Sequence, residues 1–259
     1  MLKRFAKLVL GTLLVGYVAL GILLYLNQQR LLYHPTPDLK IPYKKMVLKQ
    51  QGAKVAVYVL HPGKTDAIIY FGGNGESMAQ SAPYLARQFP NFTCYLMDYR
   101  GYGASTGEPE EKSIYADALA LYDTVAPHHR YINVGGRSLG TGVATYVAAQ
   151  RDVRRVVLIT PYESIKAVAQ DIYPLFPVSL LLKDTYDSLS RVPRIKAQTL
   201  IIMAEKDRVI PKIHTQKLIE AFNPSQLKVV MIKNRGHQDI SDDPDYFKVM
   251  QTFIREGSV

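Results

Sequence analysis

Strand-like and helix-like segments alternate along this chain from about residue 46, and this alternation limits the fold more than any other part of the sequence. Short apolar runs are separated by longer stretches with helical periodicity. Strands that alternate with helices form a mostly parallel sheet with helices on both faces, so the sequence predicts an α/β fold, entered through a hairpin around the turn Gln51-Gly52. The predicted strands are Met46–Gln50, Val55–Leu60, Ala67–Phe71, Phe92–Met97, Tyr131–Val134, Val153–Ile159, Thr199–Met203 and Leu227–Ile232, and the predicted helices are Ser77–Gln88, Lys112–Val125, Leu139–Ala149, Pro211–Phe222 and Asp243–Arg255.

The segment before this alternation is predicted to cross a membrane. Leu8–Leu26 is nineteen residues long without a charge, and a helix of that length spans about 28 Å, close to the hydrocarbon core of a bilayer. A cleaved signal peptide ending at Gly21 is the alternative, because Ala19-Leu20-Gly21 resembles a small-x-small cleavage site. The apolar run continues past that site, so we predict an uncleaved anchor in residues 1–30 and a globular domain in residues 31–259.

The positive charge of the chain is concentrated beside this apolar segment. The net charge is +10, and residues 1–54 hold nine Lys or Arg side chains against one Asp. The rest is nearly neutral and has no basic stripe with interleaved aromatic side chains, so we predict no nucleic-acid binding. The basic flank favours anionic lipid headgroups. Three basic residues precede the span and only Arg30 and Lys40 follow it closely, which favours a single-pass protein with the globular domain on the non-cytoplasmic side.

The strongest local motif is Gly136–Gly140, which has the pattern G-x-S-x-G between a predicted strand and a predicted helix. A sharp strand-to-helix turn lifts a serine hydroxyl above the sheet, and the residues beside the serine must be small for the turn to fit. The turn lies at the carboxyl edge of the strands, where ligands bind in parallel sheets. We therefore predict that Ser138 is a nucleophile.

A serine hydroxyl becomes an effective nucleophile when an imidazole takes its proton and a carboxylate orients that imidazole. Asp207 and His237 each follow a predicted strand, in the order Ser, Asp, His, so both are expected at the same edge as Ser138. We predict His237 as the base and Asp207 as the carboxylate. Glu205 is the nearest alternative to Asp207, but the alternation of side chains at a strand end points it elsewhere.

Two backbone N–H groups near the serine are predicted to form an oxyanion hole. One belongs to Leu139, and the other to the glycine-rich loop Phe71–Gly75, in which Asn74 is the predicted donor. The other histidines lack the spacing of metal ligands, and the single cysteine, Cys94, lies in a predicted strand. The sequence therefore predicts neither a metal nor a cofactor.

Three ordered motifs resemble those of the alpha/beta-hydrolase superfamily, namely Phe71–Asn74, Asp98–Gly103 and Gly136–Gly140. Together they resemble its branch of single-pass membrane-anchored enzymes with a short lid, which includes depalmitoylase-like enzymes and many bacterial serine hydrolases. The resemblance covers residues 43–255 and implies the alpha/beta-hydrolase fold. It also implies that Asp98–Gly103 is a structural turn near the site, with no catalytic step of its own.

About forty residues, 160–198, separate two predicted strands and are expected to form a short helical lid; we refer to them as the lid segment. Within it, Ile172–Leu182, hereafter the apolar run, has a strongly apolar composition. Two interpretations are open, because the run can line an acyl pocket or pack on the sheet. If it lines a pocket, we predict that Leu175, Phe176 and Leu180 contact the substrate.

Together these features predict a serine hydrolase that cleaves carboxylic ester or thioester bonds, with a lipid or an acylated protein as substrate and acyl-Ser138 as intermediate. The rival interpretation is a catalytically silent protein that binds a lipid or a partner on the same fold. The presence of all three triad residues argues against it. An acyltransferase is a third interpretation, since the sequence does not distinguish water from an alcohol as the acceptor.

Overall fold

A central β-sheet flanked by α-helices dominates the structure, a computed structural model that describes residues 1–256. Each strand and helix of the predicted alternation is present, with ends that differ by a few residues. In chain order the strands are β1 Lys44–Gln50, β2 Ala53–Leu60, β3 Asp66–Phe71, β4 Thr93–Met97, β5 Tyr131–Arg137, β6 Arg155–Ile159, β7 Gln198–Ala204 and β8 Leu227–Ile232, and the α-helices are α1 Leu2–Leu32, α2 Met78–Gln88, α3 Glu111–Val125, α4 Leu139–Gln150, α5 Ile165–Ile172, α6 Val178–Leu181, α7 Lys212–Ala221 and α8 Pro244–Arg255.

The eight strands lie side by side in the order β1-β2-β4-β3-β5-β6-β7-β8. β1 and β2 form the predicted antiparallel hairpin, β2 is antiparallel to β4, and β3 to β8 run parallel. The predicted α/β fold with a mostly parallel sheet is confirmed. Because β3 and β5 to β8 are parallel, the loops that follow them meet at one edge of the sheet.

Apolar layers cover both faces of the sheet. Along β3, Ile69 and Phe71 belong to one buried cluster, whereas Ile68 and Tyr70 belong to the other. Burial of one such side chain contributes about 1.5–3 kcal/mol relative to exposure. Strands covered on both sides have no polar face, which explains why the central strands are continuous apolar runs.

The lid segment folds into two short α-helices and a 3-10 helix between β6 and β7. α5 begins after Ser164, whose hydroxyl accepts a hydrogen bond of 3.1 Å from the Ala167 N–H and so satisfies one free donor of the first turn. α6 follows, and Leu189–Arg194 forms the 3-10 helix that leads towards β7.

α1 is attached to the globular domain by its C-terminal part. The Gln29 side chain donates to Asp184 Oδ2 over 3.1 Å, and the hydroxyl of Tyr33 donates to the same oxygen over 2.8 Å. Tyr33 is buried, whereas Leu2–Leu20 is exposed throughout. The helix is long and apolar enough to cross a bilayer.

Candidate active site

Ser138 lies on a strained turn between β5 and α4. Its φ of 49° and ψ of −119° are outside the regions that most L-residues occupy. A Cβ atom at Gly136 would lie 2.2 Å from the Gly140 carbonyl oxygen, and one at Gly140 would lie 2.1 Å from the Phe71 oxygen. The two glycines of the motif are therefore required by backbone packing, and the turn they permit presents the serine at the carboxyl edge of the sheet.

His237 lies within hydrogen-bonding distance of both other residues predicted as a triad. His237 Nε2 is 3.0 Å from Ser138 Oγ, and His237 Nδ1 is 2.8 Å from Asp207 Oδ2. The side chains of His237 and Asp207 are 6% and 7% exposed, so little water competes for these bonds. A proton on Nδ1 that is donated to Asp207 leaves Nε2 free to accept the serine proton.

Asp207 is held in place by the backbone that follows it. Its Oδ1 accepts hydrogen bonds from the N–H groups of Val209 and Ile210 at 2.9 and 2.8 Å, which leaves Oδ2 for His237. Glu205, the alternative carboxylate, accepts instead from the Asn234 N–H at 2.8 Å. The geometry therefore favours Asp207 over Glu205 as the partner of the imidazole.

The two predicted oxyanion donors, Asn74 and Leu139, line the same cavity as Ser138. The neighbouring Gly73 N–H donates to Glu76 Oε2 at 3.0 Å and is thus already engaged. The carbonyl of Gly73 accepts from the Glu76 N–H at 3.2 Å. Because a trans peptide directs its C=O and N–H in opposite directions, the Asn74 N–H of the same peptide points away from Glu76.

Two tyrosines of the Asp98–Gly103 turn hold this loop from behind. The Tyr99 hydroxyl donates to the Gly72 carbonyl at 2.7 Å, and the Tyr102 hydroxyl donates to the Asn74 carbonyl at 2.6 Å. Burial raises the pKa of both hydroxyls above the usual tyrosine range, so both remain donors. This role was not predicted; the available signal was the pair of tyrosines shortly after β4, which pairs with β3.

A cavity of about 320 Å³ extends from Ser138 between α1 and the lid segment. Its walls are mostly apolar, as expected of a pocket that accepts a hydrocarbon chain. The lining from α1 was not predicted, because the apolar composition of residues 1–30 indicated an anchor alone. The side chains that α1 contributes are Leu24, Tyr25, Gln28, Leu31 and Leu32, and those of the lid segment include Val168, Ile172, Phe176, Val178 and Leu181.

The predicted substrate contacts in the lid segment need correction. Phe176 lines the cavity, but Leu175 and Leu180 lie on the surface, with 79% and 83% of their area exposed. Successive residues in a helix point about 100° apart, so Leu181 faces the cavity and Leu180 faces outward. The apolar run contacts α1 through the stacked rings of Phe176 and Tyr17.

His214 and Cys94 take no part in these contacts. His214 is buried on α7, where its Nδ1 lies 2.9 Å from the Glu163 carboxylate. Cys94 is buried within β4, and burial raises the pKa of its thiol to about 12, so it remains protonated at neutral pH. Within residues 1–256, no group of three His, Cys, Asp or Glu side chains is placed to hold a metal ion.

Known proteins are similar to this chain in sequence and in fold. A family model described as the alpha/beta hydrolase fold matches residues 66–177. The uncharacterised protein Rv2307c of Mycobacterium tuberculosis is 28% identical over 267 residues, which cover 95% of this chain and 94% of that protein. The membrane protein YNL320W of Saccharomyces cerevisiae is 28% identical over 281 residues, 99% of either chain.

Among solved structures, the esterase Pf2001 of Pyrococcus furiosus superposes with a TM-score of 0.68 at 17% identity, over 86% of this chain and 98% of its own. This similarity concerns the fold. The apolar α1 and the relative described as a membrane protein indicate membrane association. The sheet order, the matched family model and the superposition together show that this chain has the alpha/beta-hydrolase fold.

Proposed function

We propose that this protein is a membrane-bound serine hydrolase that cleaves carboxylic ester or thioester bonds of substrates carrying an acyl chain. The observation that carries the proposal is the relay from Asp207 through His237 to Ser138, with distances of 2.8 and 3.0 Å, at the inner end of an apolar cavity. A site that only bound a lipid would need the cavity but not this relay.

In the acylation step, His237 Nε2 accepts the proton of the Ser138 hydroxyl while Ser138 Oγ attacks the carbonyl carbon of the substrate. The carbonyl electrons move to the oxygen, and the N–H groups of Leu139 and Asn74 stabilise the resulting oxyanion. As the tetrahedral intermediate collapses, the bond to the leaving alcohol or thiol breaks. His237 gives its proton to that group, and acyl-Ser138 remains.

Water completes the cycle by the reverse sequence of proton transfers. His237 takes a proton from water, the hydroxide oxygen attacks the acyl carbon, and Ser138 leaves with the proton returned by His237. Asp207 does not take the proton itself. It stabilises the imidazolium that forms in each half of the reaction and keeps the imidazole in the required tautomer.

A fluorophosphonate probe tests the proposal directly, because the probe phosphonylates only a serine that a neighbouring base activates. We expect labelling of the full-length protein in detergent and none of Ser138→Ala. Ser164→Ala, which removes the N-cap hydroxyl of α5 but no triad residue, is the control serine substitution and should label normally. A wild-type protein that is folded yet unlabelled, and that hydrolyses no ester from two to sixteen carbons, would favour the lipid-binding or partner-binding alternative.

We further propose that residues 8–26 cross the membrane once and that the catalytic domain lies on the non-cytoplasmic side. The basic residues Lys3, Arg4 and Lys7 before the span support this orientation. Proteolysis of sealed vesicles of known orientation tests it, and digestion of the catalytic domain only after cytoplasmic exposure would reverse the assignment. Retention in the membrane through a high-salt wash distinguishes an apolar anchor from electrostatic adsorption.

A further inference from the structure

The apolar run contacts α1 far from the point where this helix joins the globular domain. The Tyr17 and Phe176 rings are stacked with centroids 4.8 Å apart, and the Tyr17 hydroxyl donates to the Leu175 carbonyl at 2.7 Å. Tyr17 precedes Leu32, the last residue of α1, by fifteen residues, which is about 22 Å along a helix axis. The run therefore extends beside the apolar middle of α1.

Gly21 of α1 faces the same Phe176 ring. A Cβ atom at this position would lie 3.3 Å from Phe176 Cε1, closer than an ordinary contact, so the absence of a side chain allows the ring to approach the helix. Helices approach closely through small residues in the same way inside membranes. The contact between the run and α1 is thus a packed one along the uncharged part of the helix.

The charged residues next to the contact between the apolar run and α1 lie where a boundary between membrane and water is expected. Ile172–Leu182 contains no charged residue, and the charged residues that flank it are Asp171 and Lys183. The Lys183 ammonium lies 5.1 Å from the centre of the Tyr25 ring on α1. Tyrosine and lysine are both enriched where hydrocarbon meets water, so Tyr25 and Lys183 mark the same level on both elements.

On the membrane side of Tyr25 and Lys183, the surface of the apolar run is apolar and exposed. Ile172, Leu175 and Leu180 are 61%, 79% and 83% exposed, and the uncharged residues of α1 beside them are exposed as well. Such a contiguous apolar surface, continuous with a helix that can span a bilayer, fits the acyl chains of lipids as its covering.

We propose that the apolar run is inserted in the membrane leaflet through which α1 leaves the bilayer, and that the site takes its acyl chain from this leaflet along α1. One cavity provides such a path. Leu24 and Phe176 line it near the inserted run, and Ser138 lines it at the catalytic end. A chain that follows this path remains in apolar surroundings, so it avoids transfer to water. The proposal rests on the hydrolase function above and narrows its substrates to membrane-resident esters or thioesters.

The depth of the run is measured without reference to activity. Leu175→Cys in the full-length chain, labelled with an environment-sensitive fluorophore and reconstituted in phosphatidylcholine vesicles, is expected to be quenched by doxyl groups on the lipid chains. Val229→Cys on β8, which is 42% exposed, is the control and should be quenched by aqueous iodide only. The native Cys94 is buried, so unmutated protein gives the labelling background. A label at residue 175 that iodide quenches and doxyl lipids do not would overturn the proposal.

The supply of substrate is measured with two esters, a sixteen-carbon ester embedded in vesicles and a water-soluble acetyl ester. Leu175→Glu and Leu180→Glu should lower the ratio of the two rates at least tenfold, because a carboxylate opposes insertion, while Val229→Glu should keep the wild-type ratio. Turnover of the acetyl ester shows that each variant is folded. If the label at residue 175 lies in the leaflet and neither ester is cleaved, the hydrolase function fails while the insertion stands. An unchanged ratio in both lid variants would overturn the membrane route but leave the hydrolase intact.

Discussion

The two walls of the cavity are built in different ways. The catalytic wall consists of short loops in which Ser138, Asp207 and His237 follow β5, β7 and β8. Backbone N–H groups close to Asp207 in the chain hold its carboxylate in place. The opposite wall joins α1 to the lid segment through contacts between residues more than 150 positions apart, and much of its surface is apolar and exposed. Under the proposed function, this difference means that the loops of the sheet carry out the chemistry and that the α1–lid wall selects the substrate.

The largest effect expected is on the catalytic wall. Ser138→Ala should lower kcat for any ester on the order of 10⁴-fold or more, because the triad residues act as a unit. Asp207→Asn should cost up to about 10⁴-fold by favouring the wrong imidazole tautomer. Steady-state kinetics on an acetyl ester measures both, and Glu205→Gln is the matched control at the neighbouring carboxylate. A loss in Glu205→Gln equal to that in Asp207→Asn would reverse their assignment.

The next effect concerns Asp98, in the turn after β4 that supports the catalytic wall, and how well this turn excludes water. Burial raises the pKa of Asp98 from 3.8 to about 7, so between these values the folded protein holds a proton that the unfolded chain has released. The contribution of this group to the free energy of unfolding is fully present below about pH 4 and is lost as pH rises through about 7. This contribution falls by up to about 1.4 kcal/mol per pH unit. Asp98→Asn should flatten the fall in unfolding free energy between pH 5 and pH 8 measured with urea.

The control for this experiment is Asp245→Asn, since the Asp245 side chain is 65% exposed. It should leave the pH dependence of stability as in the wild type. Parallel curves for the wild type and Asp98→Asn would mean that Asp98 reaches water in the folded protein. In that case Asp98 would not support the contrast between a buried catalytic wall and an exposed α1–lid wall.

A smaller and more selective effect is expected on the opposite wall. Phe176→Ala removes contact area from the cavity without touching the triad, so kcat/KM should fall roughly tenfold or more for a sixteen-carbon ester and barely for an acetyl ester. Esters of two, eight and sixteen carbons in detergent micelles provide the series. Leu180→Ala on the outward face is the control and should be independent of chain length. Equal losses for Phe176→Ala across the series would remove the ring from substrate selection.

The smallest effect is expected at Tyr102, whose hydroxyl supports the loop that contains Asn74. Tyr102→Phe removes the hydrogen bond to the Asn74 carbonyl, and a bond of this kind contributes about 0.5–1.5 kcal/mol. We expect kcat to fall by about fivefold with KM unchanged, as for a residue that positions an oxyanion donor. Tyr122→Phe, which removes a hydroxyl bound to the Asp152 carbonyl, should leave kcat unaltered. Equal kcat values for the two variants would assign Tyr102 a purely structural role.

The catalytic wall could be predicted from the sequence because its determinants are local. The apolar strands, the glycines around Ser138 and the order of Ser138, Asp207 and His237 all lie within short segments whose geometry follows from backbone rules. The sequence also places Asn74 in a glycine-rich loop. It does not indicate that Tyr102 would hold that loop, because this contact depends on the pairing of β3 with β4.

The α1–lid wall could not be predicted, because it depends on how two distant elements dock. Leu175 and Leu181 are equally apolar in the sequence, and only the direction of α6 and the stacking of Phe176 on Tyr17 decide which of them lines the cavity. The membrane-anchor pattern of Leu8–Leu26 carries no sign that Leu24 and Tyr25 also form part of the site. Their apolar composition predicted that the apolar run and α1 would each form an apolar surface, but it did not predict that the two would contact each other.

The docking of the last turns of α1 has a practical consequence for preparing this protein. A shortened chain that starts at residue 31 would lack Leu24, Tyr25 and Gln28, so one side of the cavity would open to solvent. It would also remove Gln29 from Asp184, which holds the helix to the lid segment. Such a fragment would report on the reactivity of Ser138 but would misstate chain-length preference, so nanodiscs that retain α1 are the appropriate preparation for substrate profiling.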